Sequence, residues 1–355
     1  MTDILPFLKS LLSVSGLSGF ERPAARLIEE KWRPLVNEIS TSRVGSLHGL
    51  KRGSGSEPRP SVMIATHMDA IGMRVSWIQD GFLHITNVGG IDIRVLPGME
   101  VTVHASGSGE EELPGVIAMP PAPLLPDNAG DGVMGIEHLL VDTGLLAREL
   151  EKKVRVGDLV SFANEPVELA GEVLSGHSVD NRASVAALTV CLEELQNKSH
   201  IWDVWAVATV QEEVSYLGAY SSAFQLRPMI AIIVDGTFAK GPGANGWQTF
   251  PIGKGVGLCV GPNMHPFLHT RLKEVAERTE IPWFLDVTPA HSGTDAFPIQ
   301  TTAEGIPTAL VEFPIRYMHT PVEAVSVKDI QRTGRLLAEF IISLEENFVE
   351  TIVWE

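Results

Sequence analysis

Residues 61–70 read SVMIATHMDA, an apolar run that stops at His67 and Asp69. A short apolar run bounded by polar residues is typical of a strand that is buried on both faces. After Ala70 the sequence changes to short alternating runs, and helix and strand patterns of the α/β type return only near residue 167. We therefore predict an α/β fold that is interrupted, directly after this strand, by an inserted domain.

The insert, residues 71–166, consists of short alternating runs separated by turn residues. In VSWIQDGFLHIT (75–86) the pair Asp80-Gly81 is a strong two-residue hairpin signal. A Pro-rich stretch, MPPAPLLPDN (119–128), interrupts the pattern, and GIEHLLVDTGLLARELEKK (135–153) indicates one helical piece near its end. The insert is therefore predicted to be an all-β, barrel-like domain.

Residues 1–70 and 167–355 alternate between helix and strand patterns. A helix signal begins in SGFERPAARLIEEKWRPL, where Ser18 and Glu21 have the spacing of a capping box. Apolar strands such as VWAVATV (204–210), MIAIIVD (229–235) and TALVEF (308–313) are separated by helices such as RASVAALTVCLEELQ (182–196). This alternation predicts a mostly parallel sheet covered by helices on both faces.

Composition excludes some classes of partner. The chain has 27 Lys and Arg against 44 Asp and Glu, and the net charge of -17 repels nucleic acid and anionic membranes. Cys191 and Cys259 match no zinc or redox spacing, which predicts buried, reduced thiols. The first residues do not resemble a secretory signal, and no uncharged apolar run reaches about 18 residues. We expect a cytoplasmic protein with no membrane partner.

Polar residues follow the predicted strands, at the edge where α/β sheets gather their reactive groups. They are His67 and Asp69, Asp180 just before a helix, Glu212 and Glu213, Asp235, and His319. Imidazoles and carboxylates without thiolates suit two borderline divalent ions such as Zn²⁺ or Co²⁺. A carboxylate can bridge two such ions, so the sequence predicts a dinuclear metal site.

Such a site suits hydrolysis of an amide by a water that the ions activate. Of the adjacent Glu212 and Glu213, one is expected to bind metal and the other to take the proton from the water. Asp69 is expected to orient His67 by accepting its second ring N–H. Each residue alone also fits a helix cap, a turn or a solvated surface, so the hypothesis depends on their joint placement at strand ends.

Five ordered motifs carry a family resemblance. ATHMDAIGM (65–73), GHSVDNRASVAAL (176–188), VQEEVSYLGA (210–219), VDGT (234–237) and RYMHTP (316–321) resemble the tetrahedral or glutamyl-aminopeptidase-like family of metallopeptidases. The resemblance extends from SVSGLSGFE (13–21) to the end of the chain. It implies an aminopeptidase with peptide substrates, an insert that mediates dimer contacts, and dimers that assemble into hollow twelve-subunit tetrahedra.

The resemblance also implies roles for individual residues. Asp180 corresponds to the carboxylate that bridges both ions, with His67 and Asp235 completing one ligand set. Glu213 and His319 complete the other set. Glu212 corresponds to the general base, and Asp69 to the catalytic residue behind the ligating histidine. His177 is a neighbour of the site rather than a ligand, whereas His291 and Asp295 are either pocket residues or structural caps.

Rival functions remain open at this point. A related dinuclear deacylase or carboxypeptidase has to hold a substrate carboxylate, usually with Arg, and only Arg182 and Arg316 fall in these motifs. An endoglucanase needs two carboxylates without obligatory metal. A non-catalytic, metal-stabilised assembly protein has no use for an unligated Glu212 beside Glu213. The preferred N-terminal side chain is left open.

Overall fold

The structure is a computed structural model that describes residues 3–121, 123 and 134–352. In chain order the strands are β1 (Glu38–Thr41), β2 (Leu47–Lys51), β3 (Ser61–His67), β4 (Gly72–Gln79), β5 (Phe82–Val88), β6 (Glu100–Ala105), β7 (Glu111–Ala118), β8 (Leu140–Asp142), β9 (Leu159–Phe162), β10 (Val167–Leu169), β11 (Val173–Gly176), β12 (Asp203–Thr209), β13 (Ile230–Phe238), β14 (Val256–Val260), β15 (Trp283–Val287), β16 (Thr308–Arg316) and β17 (Glu323–Ser326). The helices are α1 (Leu5–Leu12), α2 (Arg22–Trp32), α3 (Ala147–Lys153), α4 (Val179–Glu194), α5 (Glu212–Ser215), α6 (Leu217–Leu226), α7 (Pro266–Arg278), α8 (Ala296–Gln300) and α9 (Val327–Ile342).

Eleven strands form one large sheet with the main order β1-β2-β12-β3-β13-β16-β17-β11-β10, and β14 and β15 extend it from β16. Its centre is parallel, because β3 pairs in parallel with β12 and β13, and β13 pairs in parallel with β16. These central strands are buried along nearly their whole length. The mixed α/β architecture with a large central sheet therefore agrees with the prediction.

The prediction of a mostly parallel sheet is wrong for the sheet as a whole, which is mixed. The pairs β1-β2, β2-β12, β10-β11, β11-β17, β14-β16 and β16-β17 are antiparallel. The links between β1 and β2, between β10 and β11, and between β16 and β17 have only three to six residues. A parallel crossover needs about a dozen residues, so these short links force their strands to run antiparallel.

Helices cover both faces of the sheet, as the sequence predicts. On one face Val62 and Ile64 of β3 pack in a core shared with α1, α2, α4, α7 and α9. On the other face Met63 and Ala65 pack against α6 and α8. Alternate residues of β3 thus point to opposite cores, which explains why this strand is apolar throughout.

The chain leaves the large sheet after β3 and forms a closed barrel before it returns at β10. The barrel order is β4-β5-β8-β7-β6-β9, and it encloses its own apolar core. The barrel-like prediction is confirmed, and so is the hairpin, since Asp80 and Gly81 have the positive φ values of 51° and 87° that a two-residue turn requires. Most of the Pro-rich stretch 119–128 lies outside the described residues.

Two local predictions need correction. The helix expected over 135–153 is confined to α3, because strand β8 occupies the middle of that stretch. Ser18 and Glu21 do not form a capping box, since α2 has no side-chain cap. In the part of the chain that the structure describes, none of the helices combines the length and the apolar character that a membrane crossing requires.

Candidate metal centre

The predicted site residues converge at one edge of the large sheet. Strands β3 and β12 are parallel and in register from Ser61 with Asp203 to His67 with Thr209, so Glu212 and Glu213 follow β12 directly beside His67. Parallel β13 carries Asp235 to the same edge. Asp180 arrives in the first turn of α4, and His319 lies in the loop between β16 and β17.

Asp180 lies between the two imidazoles. Its Oδ1 is 3.3 Å from His67 Nε2, and its Oδ2 is 3.7 Å from His319 Nε2. Possible ligand atoms of His67, Asp180 and Asp235 lie within 4.8 Å of one another, as do those of Asp180, Glu213 and His319. The two groups share Asp180, and each oxygen of its carboxylate faces one group.

The charge of these residues fits divalent cations. Asp180 Oδ1 is buried and accepts no hydrogen bond. Burial raises the pKa of Glu212 to about 11; the neighbouring His67 opposes the rise, and the charges of Asp235, Asp295 and Glu213 add to it. Burial likewise raises the pKa of Asp235 to about 8. Cations would relieve this repulsion, and imidazole nitrogen with carboxylate oxygen is a donor set that suits Zn²⁺ or Co²⁺.

Asp69 is fully buried behind His67 and does not line the cavity of the site. Its Oδ1 lies 3.4 Å from His67 Nδ1 and accepts from the backbone N–H of Glu212 at 3.0 Å. Its Oδ2 accepts from the N–H of Glu213 at 3.2 Å and from Ser18 Oγ at 2.6 Å. Burial alone would raise the pKa of Asp69, but the bond with His67, the charge of His67 and the bond from Ser18 lower it. Asp69 therefore holds His67 and the Glu212 turn in one arrangement.

Two buried glutamates, which were not predicted from the sequence, fix this site. Glu323 accepts from the N–H of Asp180 at 3.0 Å and from the N–H of His319 at 2.8 Å. Glu21 accepts from the N–H of Gly19 at 2.6 Å and from the N–H of Gln211 at 3.2 Å. Glu323 lies four residues after His319, and that proximity was the signal available for it; Glu21 was mistaken for part of a helix cap.

The remaining candidates lie around the site rather than in it. His177 is buried outside the cavity, where it bonds to Ser178 Oγ at 2.7 Å, and burial lowers its pKa to about 3. His291 is exposed and packs on Phe297. Asp295 is buried and accepts from Thr209 Oγ1. The charge of Asp295 helps to raise the pKa of Glu212, although Asp295 does not line the cavity.

The site opens into a cavity of about 510 Å³. Its metal-centre end is lined by His67, Asp180, Glu212, Glu213, Asp235 and His319. The cavity continues along the sheet to Thr237, Asp286 and Glu312. Burial, and then the charges of Asp286 and Asp235, raise the pKa of Glu312 well above its ordinary value.

Residues 45–336 match the model of the M42 glutamyl aminopeptidase family. A lysyl aminopeptidase from Pyrococcus furiosus is 32% identical over 95% of this chain and 96% of its own length. The solved structure of an aminopeptidase from Desulfurococcus kamchatkensis has a TM-score of 0.90 and 31% identity, covering 98% of this chain and 97% of its own.

A second solved structure, the TET1 peptidase of Pyrococcus horikoshii, has a TM-score of 0.81 and 25% identity. It covers 96% of this chain and all of its own, and its description states that it assembles into a tetrahedron or a large octahedral shell. The family match spans most of the chain, and the similarity to the Pyrococcus furiosus enzyme extends over nearly the full length of both proteins. This chain therefore belongs to the M42 glutamyl aminopeptidase family and is a metal-dependent aminopeptidase.

Proposed function

We propose that this aminopeptidase works with two divalent ions, which Asp180 bridges. His67 and Asp235 would complete one ligand set, and Glu213 and His319 the other. The observation that supports this proposal most directly is the position of Asp180, whose two oxygens lie 3.3 Å and 3.7 Å from imidazoles of different ligand sets. Zn²⁺ and Co²⁺ are the ions that this donor set suits best.

When bound, the ions lower the pKa of water and polarise the scissile carbonyl. Glu212 is the proposed general base: its Oε2 lies 3.9 Å from His67 Nε2, and its side chain lines the cavity. Glu212 takes a proton from the attacking water and returns it to the leaving amine. Asp69 is the positioning residue that holds His67 and the backbone of Glu212.

The experiment that tests this mechanism is Glu212→Gln, which keeps the shape of the side chain but removes its basicity. We expect kcat on aminoacyl anilides to fall by about 10²- to 10⁴-fold. Bound metal, measured by atomic emission, should stay at the wild-type level. Glu346→Gln, at an exposed position, is the matched control. Turnover by Glu212→Gln at the wild-type rate would contradict the assignment.

The metal and the need for a free amine are tested together. Chelation should abolish activity, and added Zn²⁺ or Co²⁺ should restore it, with metal content rising to two ions per chain. Blocking the α-amine of the substrate should prevent cleavage, because an aminopeptidase acts only at a free amino end. The deacylase and carboxypeptidase alternatives are disfavoured because the family and the relatives reported above are aminopeptidases. Saturation at one ion per chain would contradict the bridging role of Asp180.

We also propose that residues 1–70 and 167–355 form the catalytic domain and that residues 71–166 form a dimerisation domain. Exposed apolar side chains on the barrel strands support a partner for that segment, and they include Trp77, Phe82 and Val116. A tetrahedral dodecamer is supported by the tetrahedron that the Pyrococcus horikoshii relative can form and by a similar solved structure that is a dodecamer. Light scattering should then give about twelve times the chain mass of 38.5 kDa. A monomeric mass, or a Trp77→Glu variant that assembles like the wild type, would contradict this proposal.

A cytoplasmic location is the last part of the proposal. Cys191 and Cys259 are both buried free thiols, which is the ordinary state of cysteine in a reducing compartment. Cell fractionation should therefore recover the enzyme with cytoplasmic markers.

A further inference from the structure

Two carboxylates line the part of the cavity that extends past Asp235, which we call its far end, and they have no role in the proposed metal centre. Glu312 lies on β16, opposite Asp235 of β13 in the register of the sheet. Asp286 lies on β15, and Thr237 Oγ1 donates to its Oδ2 at 2.7 Å. Both acidic residues line the same cavity as the metal ligands and are more than nine-tenths buried. The cavity is therefore acidic beyond the residues that the ions would use.

These two carboxylates have hydrogen-bond partners, but among the described residues they have no cationic partner. Glu312 Oε2 is buried and accepts no hydrogen bond. Among the described residues, neither Glu312 nor Asp286 forms an ion pair, and no Lys or Arg lines the cavity. Burying a carboxylate without a cation is costly, and two adjacent carboxylates repel each other. A cation held between them would relieve this repulsion, and no Lys or Arg among the described residues that line the cavity supplies one.

The packing behind Asp286 and Glu312 leaves them accessible only from the cavity. Gly257 of β14 lies between Glu312 and Phe284 in the register of the sheet. A Cβ at Gly257 would lie 3.1 Å from the Cβ of Glu312 and 3.0 Å from the ring of Phe284. Phe250 stacks on Phe284 with ring centroids 4.1 Å apart. The wall behind the two carboxylates is thus aromatic and tightly packed, so the cation has to come from the cavity side.

We propose that Asp286 and Glu312 bind the side-chain cation of a basic N-terminal residue, so that this enzyme prefers peptides that begin with Lys or Arg. The proposal rests on the proposed function, which places the scissile bond beside Glu212. A substrate of an aminopeptidase has a single residue on the amino side of that bond, and its side chain enters the remainder of the cavity. The α-ammonium has closer carboxylates at the metal centre, which leaves Asp286 and Glu312 to the side chain. Acidic N-terminal residues are repelled by the same two groups.

The experiment compares lysyl and norleucyl anilides, whose side chains have the same carbon chain and differ in the terminal ammonium. We expect kcat/KM of the wild-type enzyme to be at least about tenfold higher for the lysyl substrate, with glutamyl anilide the poorest of the series. The ratio of lysyl to norleucyl kcat/KM should fall about tenfold in Glu312→Gln and in Asp286→Asn, mainly through KM for the lysyl substrate. Glu346→Gln should keep the wild-type ratio.

The results of this experiment distinguish the side-chain assignment of Asp286 and Glu312 from the proposed aminopeptidase function. Equal cleavage of lysyl and norleucyl anilides would overturn the side-chain assignment, and so would losses of equal size for both substrates in Glu312→Gln and Asp286→Asn. The latter result would mean that the pair binds the α-ammonium instead. A variant that cleaves norleucyl anilide is folded, so its lysyl rate can be interpreted directly. Absence of cleavage of every unblocked anilide by the metal-loaded wild type would instead overturn the proposed function.

Discussion

The two ends of the catalytic cavity contain the same kind of side chain in different settings. At the metal-centre end, Asp180, Glu213 and Asp235 lie among two imidazoles, and their ligand atoms form compact groups. At the far end, Asp286 and Glu312 form no ion pair with any imidazole, Lys or Arg of the described residues. The comparison teaches that carboxylates alone do not define a metal site. Imidazole and carboxylate together form a donor set for a metal ion. The pair Asp286 and Glu312, which has no imidazole, is proposed to bind a charged group of the substrate.

The largest effect should come from Asp180→Asn, because it removes the negative charge between the two imidazoles. Loss of the metal pair forfeits several kcal/mol of transition-state stabilisation, so we expect kcat/KM to fall about 10³-fold or more. Metal content should fall in parallel. The same substitution at the other end, Asp286→Asn, is the matched control and should keep its full metal content. Loss of metal from both variants would remove the distinction between the two ends.

A smaller effect is expected from Asp69→Asn, which weakens the support of His67 without removing a proposed ligand. Mutation of a residue that hydrogen-bonds a metal ligand commonly weakens metal affinity about 10- to 100-fold. We expect a loss of that size when metal affinity is measured by chelator competition. At saturating metal, kcat should recover to a large extent. Failure of excess metal to raise kcat would show that Asp69 has a direct part in the reaction.

The smallest effect is expected from Thr237→Val, which removes the hydroxyl that donates to Asp286. Asp286 would then be free to turn away from Glu312. The ratio of lysyl to norleucyl kcat/KM should fall about threefold to tenfold, the size expected for one ordinary hydrogen bond of about 0.5 to 1.5 kcal/mol. Metal content and the rate of norleucyl anilide cleavage report on the metal-centre end of the cavity. A change in metal content would show that the two ends are not separable.

The metal-centre end could be predicted from the sequence because its residues follow apolar strands directly. His67, Glu212 and Glu213 come at or just after the end of a parallel strand, and Asp235 comes just past the stretch of β13 that pairs with β3. Parallel strands bring these positions to one edge. Glu323 and Glu21 could not be predicted in this way. Their roles depend on backbone N–H groups of distant residues, and these become neighbours only in the folded chain.

The far end could not be predicted, because Glu312 lies inside a strand that is otherwise apolar. Its position opposite Asp235 depends on the register of β13 with β16, and its neighbour Asp286 belongs to a strand that joins the sheet through β14. The antiparallel edges of the sheet were missed for a related reason. Short strands such as β10 and β17 have too few residues for a clear pattern, although the short links from β10 to β11 and from β16 to β17 determine their direction.

The barrel contacts only one side of the metal centre. The N–H of Asp92, in the loop after β5, donates to the carbonyl of His319 at 3.2 Å, and Gly90 lies so close that a Cβ would be 3.0 Å from the ring nitrogen Nδ1 of His319. His67 and Asp235 lie on strands β3 and β13 of the large sheet. The loop after β5 therefore contacts His319 directly, whereas Glu323 of the large sheet holds the N–H of the same residue. Contacts of the barrel with another copy of the chain, as proposed above, would reach the metal centre through this loop and this histidine.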